Sequence, residues 1–333
     1  MKPQEKINDK LVERQLELMR KDRSLGRKFV DAVAELIDEI KAFLVSSKLP
    51  KRLQTIAARI SDFFSRLPQK LRELLSPTQQ IIEEWASMAI ILNAGVSADI
   101  ASKTVAGQRV QAILASTMVN GQLVDEALEQ FTDSIKRQVL AAVRTGATTK
   151  TMTQIAGEIG ALTDLNRNHA QTLARTLTNA ITNQARNDFY QTHDELIQGY
   201  TQTSTLDGRT TKVCAVRDNL SWDLDKKPAG HNQSFKLPPL HYNCRSIMLP
   251  WLKSDSSIPK SVRDKIPKST RASIDGQVES DLTFEKWVER KPKAFQEKWF
   301  GKGRYELWRE KKITFGELVD SDGRQRTLAE LEK

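Results

Sequence analysis

For its first two hundred residues the chain repeats apolar side chains at the spacing of an α-helix. That period constrains the fold more than any other feature. In FVDAVAELIDEIKAFLV, residues Phe29, Val33, Leu36, Ile37, Ile40, Phe43 and Leu44 share one face, with Asp31, Glu35, Asp38, Glu39 and Lys41 largely opposite. Leu49-Pro50 ends this run, because a residue before proline is pushed out of helical conformation. A second amphipathic run covers Leu53 to Leu67 and stops at Pro68. Ser76-Pro77 reads as a helix start, with Ser76 capping and Pro77 in the first helical position. Further helices are expected in GVSADIASKTVAGQRVQAILAS and in DEALEQFTDSIKRQVLAAVRTG, the second ending at Gly146. A short one is expected in TTKTMTQIAGEIGAL, and a long one from about Asn166 to Tyr200.

The composition changes near Tyr200. Short extended runs, YTQTSTL, KVCAV and SIMLPW, alternate with polar loops, and Asp207-Gly208 marks a turn. This strand-and-loop module of about fifty residues is too small to bury a stable core alone. It needs a brace: a metal, the preceding helix or a partner. Lys253 to Asp281 is polar and reads as a linker. The last segment regains aromatics, and its pattern suggests short helices broken at Pro292, Gly301 and Gly316. Five of the six tryptophans follow residue 220, so buried contacts or partner contacts should concentrate there. The expected class is α+β, mostly α. Its parts are a helical region over 1–145, a core of long helix and Cys/His module over 146–252, the linker over 253–281 and a helical aromatic tail over 282–333.

Two cysteines in 333 residues exclude a disulfide-stapled fold. The N-terminus lacks an apolar signal segment, and the longest apolar run, from Met88, is too short to span a bilayer. The formal charge of +10 favours contact with polyanions, although acidic residues are interspersed throughout. The expectation is a protein made in a reducing cytosol.

His241 and Cys244 form an H-x-x-C pair directly after Pro238-Pro239, and Cys214 lies upstream. Two thiols and an imidazole suit zinc, which takes four such ligands. His231 and Asp207 are the nearest candidates for the fourth. Three readings stand open: a zinc site, two buried apolar cysteines beside a structural histidine, or a Cys214–Cys244 disulfide formed after release from a cell. No catalytic constellation is expected. His193-Asp194-Glu195 supplies an H-x-E, but no P-C-x-x-C follows it, and its polar surroundings read as a solvated helix face. No phosphate-binding glycine loop or G-x-S-x-G is present, so no cofactor site is expected either.

Together, TLDGRTTKVC and PPLHYNCRS resemble the central motif of the Mu F-like minor head proteins of tailed phages, the head morphogenesis family. The match falls on Asp207, Arg209, Thr210, Cys214, Pro238, Pro239, His241, Cys244 and Arg245. TLARTLTNAITNQAR is similar to the family's A-R-T-E helix, with Leu177 in place of the glutamate, and the aromatic tail is similar to that of many members. Many members carry a further cysteine where this chain has Thr211, so the four-ligand site would lose one thiolate. The resemblance implies a low-copy protein of the phage head interior, made in the host cytoplasm. Its implied partners are the portal protein, the major capsid or scaffolding protein and double-stranded DNA, with no membrane contact in the head. The alternatives are a DNA-binding ejection protein and a nuclease-like enzyme. Arg209 and Arg245 are expected to bond carbonyls or carboxylates such as Asp207 within the module, with phosphate contact as the alternative.

Overall fold

The computed structural model describes residues 3–46, 53–96, 105–147, 149–253, 270–273, 276–279 and 282–333. Helices α1 (Pro3–Ser46), α2 (Leu53–Ser65), α3 (Leu67–Leu75), α4 (Pro77–Val96) and α5 (Gly107–Ser116) come first. A two-stranded hairpin of β1 (Met118–Val119) and β2 (Gln122–Leu123) leads into α6 (Val124–Gly146) and α7 (Met152–Thr192). Then follow β3 (Ile197–Thr203), α8 (Lys212–Val216), β4 (Ser221–Asp223) and β5 (Ile247–Leu252). A second hairpin, β6 (Thr270–Ser273) and β7 (Gly276–Glu279), precedes α9 (Phe284–Glu289), α10 (Lys293–Phe300) and α11 (Lys302–Arg309). One 3₁₀ turn (Phe315–Leu318) and α12 (Leu328–Leu331) finish the order. The mostly helical α+β class read from the sequence holds. No helix among the described residues is long and apolar enough to cross a membrane.

The contacts divide the chain into two compact units interleaved in sequence. One comprises residues 17–82 and 107–181. Its core takes the apolar face foreseen on α1: Phe29, Val33, Leu36, Ile37, Ile40 and Leu44 are buried. Phe43, half-buried, meets Phe63 at 5.8 Å between ring centres. Helices α2 and α3 lie against α6, and Ile56, Ile60, Phe64, Leu67, Leu71 and Leu75 are buried. Asn120 and Gly121, at φ 50° and 80°, supply the left-handed pair of residues that closes the first hairpin. The Glu126 carboxylate accepts the Leu123 N–H (2.8 Å) at the start of α6.

The other unit comprises residues 1–16, 83–106 and 182–333. At its centre is an antiparallel sheet of order β4-β3-β5, in which Tyr200 pairs with Trp222 on one side and Pro250 on the other. Gly199 is required there, since a Cβ on it would stand 2.0 Å from the Trp222 carbonyl oxygen. The end of α7 braces this sheet: Asn183 Oδ1 accepts the Met248 N–H (3.0 Å), and the Tyr190 hydroxyl donates to the Met248 carbonyl (3.2 Å). Arg186 and Glu84 form a fully buried pair (2.7 Å), to which Arg14 adds a second contact (3.2 Å).

The aromatic tail is the module's second brace. Phe284, Trp287, Trp299, Phe300, Tyr305 and Trp308 are buried in one cluster that includes Leu206, Ala215 and Val216 of the module. The Trp299 indole donates to the Thr210 carbonyl (2.8 Å). The buried Asp218 carboxylate accepts the Ser204 N–H with one oxygen and the Phe284 N–H with the other, both at 2.8 Å. The tail's aromatics therefore serve the protein's own core.

Several local expectations need correction. KVCAV is a helix and not a strand, because Thr211 caps it by accepting the Cys214 N–H (3.4 Å). The long helix runs over Met152–Thr192, absorbing the short helix expected before it and stopping short of Tyr200, which lies in β3. Ser76 does not cap forward: it takes φ 47°, and its hydroxyl donates back to the Glu73 carbonyl (2.7 Å). His193 is buried, stacked on Phe189 at 4.1 Å, with Nδ1 donating to the Phe189 carbonyl (2.9 Å). The solvated-face reading fails at that residue. Of the segment read as a linker, 254–269, 274–275 and 280–281 lie outside the described residues, while Thr270–Ser273 and Gly276–Glu279 pair as antiparallel strands.

Phe284→Ala should cost about 3–5 kcal/mol of stability, the usual loss for a large aromatic removed from a packed core. A lowered denaturant midpoint checks it; an unchanged midpoint would show that the tail does not support the module.

Candidate metal centre

Two loops, 204–211 and 236–246, build the centre. In the first, the Asp207 carboxylate accepts the Arg209 N–H (3.0 Å), and the Thr210 hydroxyl donates to the Thr205 carbonyl (2.5 Å). These bonds tighten the turn that delivers Thr211 to the start of α8, which in turn buries Cys214. The second loop passes through Pro238-Pro239, joined by a cis peptide bond. It then turns at His241, where the Cys244 N–H bonds the His241 carbonyl (3.1 Å) and Asn243 adopts φ 60°. That turn places the imidazole and the Cys244 thiol on the same side.

Arg245 fastens the two loops together. Its guanidinium grips Asp207 with two bonds, at 2.5 and 2.7 Å. Its side chain is 13% exposed, so the pair is largely withdrawn from water. Burial works to raise the Asp207 carboxyl, but the bonds and charge of Arg245, with those of Arg209, outweigh it and hold the group below its usual value. Arg209 differs from Arg245: its side chain is 84% exposed and stands 3.6 Å from Asp207.

Beside this bracket Cys214, His241 and Cys244 converge. The Cys214 sulfur is 3.2 Å from His241 Nε2 and 3.7 Å from the Cys244 sulfur. Thr211 Oγ1 is 3.0 Å from the same Nε2. His241 Nδ1 lies 2.7 Å from the Tyr242 carbonyl, which can only accept. Nδ1 therefore carries the proton, and in the neutral ring Nε2 turns its lone pair toward the sulfurs. The bond from Cys214, opposed by burial and reinforced by His241, draws the Cys244 thiol well below the ordinary cysteine value. Cys214 moves upward, held by Cys244 and by burial. His241 is raised, first by its bond to Cys244. Negative charge is thus favoured on Cys244, with donors around it.

The donor set fits a zinc ion. Ligands at the usual Zn–S and Zn–N lengths stand about 3.5–3.8 Å apart at the corners of a tetrahedron. The sulfur–sulfur separation of 3.7 Å matches this spacing, and the sulfur–nitrogen separation of 3.2 Å is a little shorter. The cysteines are free thiols, and a disulfide would need its sulfurs at about 2.05 Å.

The two candidates for a fourth ligand lie outside the group. His231 uses both ring nitrogens, Nε2 toward the Ser221 carbonyl (2.7 Å) and Nδ1 toward the Gln233 N–H (3.2 Å). Asp207 has both oxygens on Arg245. Thr211 Oγ1, 3.0 Å from His241 Nε2, stands at the position where the family pattern has a cysteine.

Ser204 and Ser246 were not anticipated. Ser204 donates to the Cys214 carbonyl (2.8 Å), and the two hydroxyls are 3.0 Å apart. The run TQTSTL gave no spacing that would distinguish a buried serine from a loop serine.

Residues 133–249 match the family model described as Phage Mu protein F like protein. The resemblance read from the paired motifs is supported over this segment, where the chain is similar to the Mu F-like proteins. The match runs from α6 into β5 and ends before the aromatic tail. No curated protein and no solved structure matches the chain.

Asp207→Asn should destabilise the protein by about 3 kcal/mol, because it leaves a withdrawn guanidinium without its counter-charge. The native carboxyl is depressed, so its contribution is present above the ordinary carboxylate range and is lost as pH falls through the lower folded value. Denaturation of the single variants and of the double variant with Arg245→Met checks this. A double variant no more stable than additivity predicts would exclude coupling.

Proposed function

We propose that this Mu F-like chain is a minor capsid protein of a tailed phage: a low-copy component of the head interior that docks at the portal vertex. The observation that carries the reading is the family match through residue 249, which includes both halves of the motif. The geometry gives the motif a structural meaning. Asp207, Arg245, Cys214, His241 and Cys244 join loops 30 and 38 residues apart into one rigid body. Such a body suits assembly onto a partner, and the major capsid or scaffolding protein is a further candidate surface. Both sulfurs are buried, which gives a substrate no approach and favours an assembly role over an enzymatic one. The protein would be made in the host cytoplasm and carried into the procapsid.

Zinc is part of this proposal. Cys214, His241 and Cys244 would hold it, with Thr211 or a water completing the set. A bound ion would cross-link α8 to the 241–244 turn and add its binding energy to folding. A second reading, a DNA-binding ejection protein, draws on the net charge of +10.

Purified portal protein should retain the chain in a pull-down; a portal that ignores it would count against docking. Elemental analysis should find close to one zinc per chain, with Cys214→Ser or Cys244→Ser removing it. Thr211→Cys should tighten metal retention against a chelator. If the unmodified chain carries no zinc after preparation in zinc-supplemented medium, the cluster is a metal-free thiol–imidazole contact.

A further inference from the structure

In the unit built from residues 17–82 and 107–181, α1 and α7 border an open cavity of about 400 Å³ between Asp22, Arg23, Gly26, Arg27, Gln171 and Arg175. Gly26 brings the helices close: a Cβ on it would stand 3.3 Å from the Gln171 Cα. Arg23 and Arg27 are exposed and Arg175 is half-buried, so three guanidiniums border one opening. Among them lies Asp22, only 6% exposed, whose Oδ1 has no hydrogen-bond partner. A buried oxygen without a partner is uncommon, because its desolvation goes uncompensated.

We propose that this cavity is a phosphate-binding site, in which Arg23, Arg27 and Arg175 take the oxyanion and Asp22, as the neutral acid, donates a hydrogen bond to it. The site is independent of the Cys/His centre and of the head-protein reading. Guanidiniums match tetrahedral oxyanions through paired N–H donors. A carboxyl among three of them would repel an anion if ionised. Burial, against the pull of the Thr178 bond and the Arg175 charge, pushes Asp22 up to about 7, so the acid form is available near neutrality. The cavity exceeds what a planar carboxylate fills and has room for a phosphate with an attached sugar. Outside the opening, exposed Arg20, Lys21 and Lys28 continue the positive face of α1, which suits a phosphodiester backbone.

Titration of the full-length protein with sulfate at constant ionic strength tests the site, because sulfate keeps its charge across the range used. Saturable binding to one site is expected. The charged groups that line the cavity with Asp22 are Arg23 and Arg27 on α1 and Arg175 on α7, and its other neighbour on α7 is the Thr178 hydroxyl. Affinity should therefore fall about tenfold between pH 6 and pH 8 as Asp22 ionises. Asp22→Asn should keep binding and lose the pH slope. Arg23→Gln with Arg27→Gln, both at exposed positions, should weaken sulfate at least tenfold. Absence of sulfate binding, an unchanged slope in Asp22→Asn, or full affinity in the double arginine variant would each overturn the proposal. A duplex oligonucleotide at low salt identifies the source. Parallel weakening of duplex and sulfate by the arginine variant supports the site with nucleic-acid backbone as its ligand; weakening of sulfate alone supports it with free phosphate.

Discussion

The two-pronged contact between Arg245 and Asp207 is the constraint on which the Cys/His module depends. It joins residues 38 apart and is mostly shielded from water, where an unpaired charge is costly. A buried pair of this kind contributes little net stability over an apolar replacement, but it penalises any arrangement in which the loops part. That penalty fixes register. With the loops held, the turn at His241 faces the first turn of α8, and three soft donors meet without any strand linking them. Remove the register and the sulfurs have no reason to be neighbours.

Beneath the donors lies a layer of buried polar groups with defined partners. Arg217 is wholly buried, bonds Gln202 (3.1 Å) and the Ser234 carbonyl (2.9 Å), and lies over the Trp222 ring at 4.7 Å. Burial lowers its affinity for a proton, to a pKa of about 10, which still leaves it charged at neutral pH. Trp222 in turn donates to the Gln233 carbonyl (2.7 Å). The Arg217–Gln202 and Trp222–Gln233 bonds join the sheet to loops and the Arg217–Ser234 bond joins two loops, so the irregular segment between β4 and β5 is held by side chains. The module is small in apolar area and adds buried polar contacts, although Arg217 Nη1, Gln233 Oε1 and the Tyr200 hydroxyl are left without hydrogen-bond partners among the described residues.

How much of this could be read from the sequence varied with the physical range of each signal. Helical faces were legible, because burial repeats every turn: six of the seven side chains placed on the face of α1 are buried. The convergence of Cys214, His241 and Cys244 was legible from residue chemistry and from the family resemblance. KVCAV misled because its β-branched residues favour strands, while the deciding influence was one capping hydroxyl at Thr211. The fate of His193 depended on Phe189 and Trp85, and the latter is more than a hundred residues away in the chain. The first hairpin has only the local signal of Asn120-Gly121, set within an otherwise helical stretch. Nothing local indicated that the aromatic tail would close over the module, since that depends on complementary surfaces formed only after folding.

The bonds from Asp218 to Phe284 and from Thr210 to Trp299 tie early residues to much later ones. A ribosome delivers residues in order, so when the sheet and the thiols have emerged, their covering aromatic layer is still unsynthesised. For that interval Leu206, Ala215 and Val216 face solvent or whatever lies nearby. The nascent chain therefore stays sticky until residues 282–331 have followed, and the speed of translation across that segment governs how long neighbours have to capture it.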